Sequence, residues 1–189
     1  MKKILLPIFS ILLATLFIAI LPTEAEAGIY EDTIRIHILA NSDSESDQKI
    51  KLVVRDRLLL EYSEIFSGAD NIREAETLLK NRLTDIELKV SEWVSDYGYS
   101  AVARLEVEWF DTRVYENFSL PAGNYLSLII ELGDAKGKNW WCVMYPPMCL
   151  DVATKAESGY TDAERGLISG KYKIKFKILE LVSKTLYKN

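Results

Sequence analysis

The sequence predicts an α+β domain, in which a mostly antiparallel sheet of about five strands packs against helices in the order β-α-α-β-β-β-β-α. Two long stretches between residues 47 and 94 place apolar side chains at helical spacing. Short stretches before and after them alternate between apolar and polar side chains, as half-buried strands do. This separation of helical and strand-like patterns is typical of the α+β class.

The first 27 residues are typical of a secretory signal peptide. Lys2 and Lys3 precede an apolar run from Ile4 to Leu21, and Ala25-Glu26-Ala27 then matches an A-x-A cleavage pattern. The apolar run is also long enough for an uncleaved membrane anchor. Cleavage is the favoured interpretation, and both interpretations place residues 28–189 outside the cytoplasmic membrane as a single domain.

The charge of the chain limits its partners. The formal net charge is −5, whereas a protein that binds nucleic acid as its main partner usually presents a basic face. We therefore expect no nucleic-acid partner.

The first half of the domain should fold as a strand followed by two helices. Ile34, Ile36 and Ile38 alternate with polar residues and predict a strand. The polar stretch 41–47 is rich in capping residues, and helices are expected over 47–66 and 72–94. Asp70 or Asn71 is expected to cap the second helix, whose C-terminal glycine would be Gly98. In the first helix, Ser44 and Asp47 have the spacing of a capping box.

The second half should be dominated by strands, over residues 101–109, 114–118, 125–132 and 139–145. Residues 171–189 fit both a strand and a helix, and the longer helical stripe favours a helix. Trp140 and Trp141 are neighbours on the last predicted strand, so their side chains should point to opposite faces of the sheet. We expect one indole in the core and the other beneath a helix, a loop or a partner.

Both cysteines of the chain lie within the block Gly137–Cys149, which also holds Pro146 and Pro147. Outside the cytoplasmic membrane, a disulfide between Cys142 and Cys149 is the simplest expectation, and two buried thiols are the alternative. Two cysteines and one histidine fall short of a usual zinc site, so no metal is expected.

No catalytic motif is present in the sequence, and we expect neither catalysis nor a cofactor. His37 is the one imidazole, and a His37–Asp43 dyad is conceivable, but a lone strand histidine more often packs. Glu106 and Glu108 resemble the paired carboxylates of glycan-cleaving enzymes, although such alternation usually marks a solvated sheet face. The lysines of a C-terminal helix would share one face suited to an anionic lipid or wall polymer.

Three blocks of the chain together resemble one protein family. They are Arg35-Ile-His-Ile-Leu-Ala-Asn-Ser-Asp43 with the following Asp47–Asp56 stretch, Leu120–Tyr125, and Gly137–Cys142 with Pro146, Pro147 and Cys149. In this order and spacing they resemble the stage II sporulation protein R family of endospore-forming bacteria.

The resemblance implies a signalling role. Members of this family are made in the forespore and secreted into the space between forespore and mother cell. There they are required to activate the membrane-embedded aspartic-type protease that removes the pro-sequence of pro-sigma-E in the mother cell. The resemblance brings no catalytic residues with it.

We expect two segments, His37–Asp47 and Lys138–Trp141, to form or support the surface that contacts this protease. The candidate residues are His37, Asn41, Asp43, Asp47, Lys138, Asn139, Trp140 and Trp141. Two alternatives remain open: an exported cell-wall enzyme that uses His37 or the Glu106/Glu108 pair, and a module that makes peripheral contact with wall or lipid through its lysines.

Overall fold

The computed structural model describes residues 7–15, 24–115, 118–148, 161–166 and 168. Helix α1 covers residues 7–15, and helix α2 (Glu24–Glu31) contains the predicted cleavage pattern at 25–27. Within these ranges, no helix is both long enough and apolar enough to cross a membrane. The predicted C-terminal helix over 171–189 lies outside the described residues.

The described elements follow the predicted order closely. They are β1 (Ile34–Leu39), α3 (Glu45–Ser67), α4 (Ile72–Ser95), β2 (Ala101–Phe110), β3 (Arg113–Val114), β4 (Ser119–Leu120), β5 (Gly123–Leu132), β6 (Asn139–Tyr145) and α5 (Asp162–Gly166). Asn71 caps α4, because its side chain accepts a hydrogen bond from the backbone N–H of Glu74. Gly98 follows α4 with φ of 79°.

The main sheet has four strands in the order β2-β5-β1-β6. The central pair β1–β5 is parallel, whereas β2–β5 and β1–β6 are antiparallel. The sheet is therefore mixed, and it has fewer strands than predicted. The physical reason is that β5 reaches β1 only after α3, α4 and β2, and this long crossover leaves no trace in local side-chain alternation.

The strand predicted over 114–118 is wrong. Arg113–Val114 and Ser119–Leu120 instead pair with each other as a separate two-stranded ribbon. Alternating side chains were present, but the chain reverses between these residues, so the pattern belongs to a hairpin. This β3–β4 ribbon lies close to the sheet face opposite α3 and α4, since Leu120 packs in a cluster with Tyr125 and Val143.

Both faces of the sheet are covered. Helices α3 and α4 pack on one face, which we call the helix face, where Ile36, Leu58 and Leu79 are fully buried. On the other face, a smaller cluster combines residues of α2, the sheet and the chain near α5. Its buried members are Ile29, Phe110, Leu120, Tyr125, Val143 and Ile168. As a result, the polar residues of β1 on this second face are buried as well.

Candidate functional site

The structure brings the two predicted contact segments together. Strand β6 pairs with β1, with Trp140 opposite Ile38 and Asn139 opposite Leu39. The chain that follows β1 therefore meets the chain that precedes β6. We call residues 40–44 and 133–138, which meet at the end of these strands, the loop junction.

Backbone atoms hold the loop junction together. The Gly137 N–H donates to the Ala40 carbonyl at 2.8 Å, and the Lys136 N–H donates to the Asn41 carbonyl at 3.1 Å. The Lys138 N–H donates to Asp43 Oδ1 at 2.7 Å. Gly137 fits here because a side chain would collide with the backbone of Ser42. The sequence analysis did not predict this close approach of the two loops. The feature that could have indicated it is Gly137, the glycine just before β6.

Asp47 anchors the junction from beneath. Its carboxylate accepts hydrogen bonds from Asn41 Nδ2 at 2.9 Å, Ser42 Oγ at 2.6 Å and Tyr99 Oη at 2.8 Å. These donors, with Ser42 first, lower the pKa of Asp47 to about 2. The side chain is 4% exposed, so Asp47 supports the predicted contact surface without being available to a partner. The predicted cap is confirmed by the bond from the Asp47 N–H to Ser44 Oγ.

Asp47→Asn should lower the melting temperature in a pH-dependent way. The folded-state pKa lies below the ordinary value of 3.8, so the carboxylate stabilises the fold fully above that value. This contribution is lost as the pH falls through about 2. Thermal melts of both proteins, followed by circular dichroism, should therefore differ at neutral pH and converge in acid. A melting-temperature difference that stays constant down to the folded-state pKa would contradict this account.

Lys138 is one of the two exposed lysines of the loop junction, the other being Lys136. The Lys138 carbonyl accepts a hydrogen bond from Lys51 Nζ at 2.9 Å, so the backbone at this position is fixed on both sides. The Lys138 side chain is exposed, as is Asp43. Burial lowers the pKa of Lys51. The negative charge of Asp43 partly offsets this lowering, and the positive charge of Lys138 adds to it. The junction thus presents the Lys138 side chain to solvent from a fixed backbone.

The two tryptophans lie on opposite faces of β6, as predicted. Trp140 packs against the helix-face core, with the Arg55 guanidinium 5.4 Å from its ring centroid. Trp141 lies on the second face, stacked on His37 at 5.1 Å and beneath the Arg113 guanidinium at 3.8 Å. Both indoles are half-buried. Each is covered by an arginine of its own domain, an arrangement that sequence alternation alone does not reveal.

His37 pairs with Glu108 and not with Asp43. The distance between His37 Nδ1 and Glu108 Oε2 is 2.8 Å, whereas the Asp43 carboxylate binds the backbone of Lys138. The physical reason is that His37 and Glu108 share the second face of the sheet, while Asp43 lies beyond the end of β1. Glu106 Oε1 lies 3.7 Å from Arg104 Nε, so Glu106 and Glu108 pair with different residues. Among the described residues, no group of three or more candidate ligands is arranged to hold a metal.

Cys142 is buried on the helix face, opposite Ile36 of β1. Its predicted partner Cys149 lies outside the described residues. The disulfide between them therefore stays a prediction.

Arg35 is the residue that sequence reasoning missed. It is fully buried on the second face, with its guanidinium 3.9 Å from the Phe110 ring centroid and 5.1 Å from that of Tyr125. Its Nη2 donates to Tyr115 Oη at 2.8 Å. The available signal was an arginine inside an Ile-x-Ile-x-Ile strand, which the sequence analysis placed only on the polar side of that strand.

Residues 30–155 match the family described as stage II sporulation protein R. The chain belongs to this family. It is also 35% identical over 123 residues to the stage II sporulation protein R of Bacillus subtilis (strain 168). That alignment covers 64% of the chain and 55% of the relative, so the chain spans about half the length of the curated relative that it matches. No solved structure matches the chain.

The part of the chain that matches the stage II sporulation protein R family contains β1 to β6. It therefore includes the loop junction, both tryptophans and Arg35. Helix α1 and the predicted cleavage pattern precede the match, and α5 follows it. The sites described above thus belong to the family domain itself.

Proposed function

We propose that this chain is a secreted signal of endospore formation that activates a membrane protease. In this proposal it is made in the forespore and exported into the space between forespore and mother cell. There it turns on the membrane-embedded aspartic-type protease that processes pro-sigma-E. Membership of the stage II sporulation protein R family is the observation that carries the proposal, and the signal-like residues 1–27 support export.

The loop junction supports a binding role for this signal. Loops that are held rigidly by a scaffold are common recognition surfaces, and the junction is fixed by backbone hydrogen bonds to Asp43, Ala40 and Lys51. Lys138 projects from it. We propose that the protease, or a protein bound to it, contacts this surface, with His37 and Asp47 supporting it from within.

The exported cell-wall enzyme is the less favoured function. His37 is 5% exposed, which leaves a polymeric wall substrate little access to the imidazole. A general base needs to reach the proton that it removes. This burial supports a signal that acts by contact and not by catalysis.

Reconstitution in a host that does not form spores tests the proposed function. The full chain, the protease and pro-sigma-E are co-expressed, and processing is followed by the size of the sigma factor on an immunoblot. We expect processing with the full chain and none with a variant that lacks residues 1–27 and so stays in the cytoplasm. Equal processing with and without the exported chain would overturn the signalling role.

The same full chain, incubated with cell-wall sacculi, tests the enzyme alternative. Release of soluble wall fragments by the native chain, lost in Glu108→Gln, would replace the signal by a wall-active enzyme. Absence of release, together with export-dependent processing, is the outcome that the proposed function requires.

A further inference from the structure

The second face of the sheet contains a buried positive charge without a counter-charge in the described part of the chain. Arg35 is 0% exposed. The groups that act electrostatically on its guanidinium are Tyr115, Tyr125 and Arg113, none of which is a carboxylate. Burial, the largest of the influences, lowers the pKa of Arg35, but a guanidinium stays charged at neutral pH. Removing one partner from a buried ion pair is strongly destabilising, so an arginine buried alone calls for an anion.

The neighbours of Arg35 satisfy only part of its bonding capacity. The rings of Phe110 and Tyr125 face the flat side of the guanidinium, and Tyr115 takes one N–H of Nη2. The N–H groups of Nε and Nη1 lie in the guanidinium plane and find no acceptor among the described residues. Buried donors are nearly always paired in native proteins. A purely structural cation–π role therefore leaves these donors unexplained.

Two further unpaired polar groups lie beside Arg35 on the same face. Ser127 is directly opposite Arg35 in the β1–β5 pairing, and its buried hydroxyl has no hydrogen-bond partner in the described chain. His37 is two positions along β1, and its Nε2 is buried and likewise unpaired within the described residues. We call Arg35, His37 and Ser127 the buried polar cluster. These side chains offer a guanidinium, an imidazole nitrogen and a hydroxyl to one small region.

The charge balance of the cluster selects the kind of ligand. Glu108 pairs with His37, so Arg35 has no carboxylate partner of its own among the described residues, and Arg113 adds a second positive charge nearby. A water molecule would pair the donors but would not supply charge. A carboxylate does both, since it is planar, carries one negative charge and accepts paired N–H bonds from a guanidinium. The aromatic rings beside Arg35 suit the apolar part of a carboxylic acid, which phosphate lacks.

We propose that the buried polar cluster binds a monoanionic carboxylate, with Arg35 as its main ligand and the Ser127 hydroxyl as a secondary donor. Tyr115, which accepts a hydrogen bond from Arg35 Nη2, is partly exposed, so a ligand that displaces its ring can reach Arg35. The carboxylate belongs either to a small free acid or to the C-terminus of a peptide. This site is independent of the proposed signalling function, and its test uses no sporulation readout.

Thermal melts and calorimetric titrations of the full chain at constant ionic strength test the site. The probes are sodium acetate, the dipeptide N-acetyl-Ala-Ala as free acid, its C-terminal amide and inorganic phosphate, with sodium chloride as the reference salt. We expect the melting temperature to rise as acetate or the dipeptide acid is added, at concentrations up to about 100 mM, because a ligand that binds only the folded state stabilises that state. The amide and phosphate should have no such effect. Tighter binding of the dipeptide than of acetate assigns the site to a peptide terminus, and equal binding assigns it to a free acid.

Arg35→Met separates a ligand-binding role from a structural one. Replacing an uncompensated buried charge by an apolar side chain of similar length should leave the melting temperature equal or higher. Carboxylate binding should fall at least about ten-fold, as expected when a charge-assisted pair is lost. If this variant fails to fold, Arg35→Lys, which keeps the charge but not the planar fork, serves for the same comparison.

Three results would overturn the proposal. The first is a native chain whose melting temperature ignores every carboxylate. The second is stronger stabilisation by phosphate than by acetate. The third is undiminished carboxylate binding in the Arg35 variant that folds. Each of these outcomes leaves the signalling proposal untouched, because none of them measures processing of the sigma factor.

Discussion

Lys138→Glu should abolish processing of pro-sigma-E while the domain stays folded and exported. The substitution changes only the exposed side chain, because both structural hydrogen bonds at this position use the backbone N–H and carbonyl. The new carboxylate would also lie near the Lys51 ammonium group, which the positive charge of Lys138 repels in the native protein. Folding should therefore be unaffected or slightly favoured. A reversed charge in a protein interface typically costs several kcal/mol, enough to reduce binding by at least about a hundred-fold.

The measurement is the immunoblot for processed sigma factor in the reconstituted host, with the melting temperature and the exported amount of each variant recorded alongside. Lys136→Glu is the matched control, since Lys136 is an exposed lysine of the same loop that pairs with Asp134. Full processing with Lys136→Glu and none with Lys138→Glu would locate the contact. Normal processing with Lys138→Glu would remove the loop junction from the contact surface and leave the signalling role intact.

Local patterns predicted most of the elements correctly. The alternation around Ile36 defines β1, helical spacing defines α3 and α4, and the side-chain geometry of a strand separates Trp140 from Trp141. Each of these properties depends on residues a few positions apart, whose relation the sequence displays directly. The cap at Asn71 belongs to the same group, because a capping residue acts on the next turn.

Long-range features could not be predicted in this way. The parallel pairing of β1 with β5 joins Arg35 to Ser127, and no periodicity links positions so far apart. The Tyr99 hydroxyl reaches Asp47 across 52 positions, so the cap predicted from Ser44 was only part of its environment. In each case the partner is chosen by the tertiary fold.

Burial of the second face had the largest consequence for the candidate site. Arg35 and His37 alternate with isoleucines, a pattern that normally means solvent on the polar side. Here Ile29 of α2 and Leu120 of the β3–β4 ribbon cover that side of the sheet. The cover comes from segments whose own patterns give no hint of where they pack. An arginine that such a pattern normally places in water is therefore enclosed, and this enclosure makes it a candidate ligand site.

Gly137→Ala should destabilise the domain by about 3 kcal/mol, the upper end of the range for overpacking. A Cβ at this position would collide with the carbonyl of Ser42 and crowd Ala40, and a backbone carbonyl cannot rotate away as a side chain can. Gly137 does not have a positive φ, so the expected loss is steric and not conformational. Urea denaturation of both proteins measures the difference in free energy of unfolding.

Ala135→Gly, two positions earlier in the same loop, should not destabilise the domain. Ala135 has φ of 52°, in the left-handed region that costs a residue with a Cβ roughly 1–2 kcal/mol. Glycine removes that cost but loses about 0.4–1 kcal/mol through the greater freedom of the unfolded chain. The net change should therefore be a small gain, or nearly zero. Destabilisation by both substitutions would indicate that the loop tolerates no change at all and would contradict the steric account of Gly137.

Together with Lys138→Glu, these two variants distinguish residues that hold the loop junction in place from residues that a partner contacts. Gly137→Ala disturbs the backbone bond to Ala40 and thereby displaces Lys138, so processing should fall in proportion to the lost stability. Ala135→Gly should leave processing unchanged. Lys138→Glu should abolish processing without any loss of stability. A residue that a partner contacts and a residue that holds it in place therefore differ in whether the melting temperature moves with the activity.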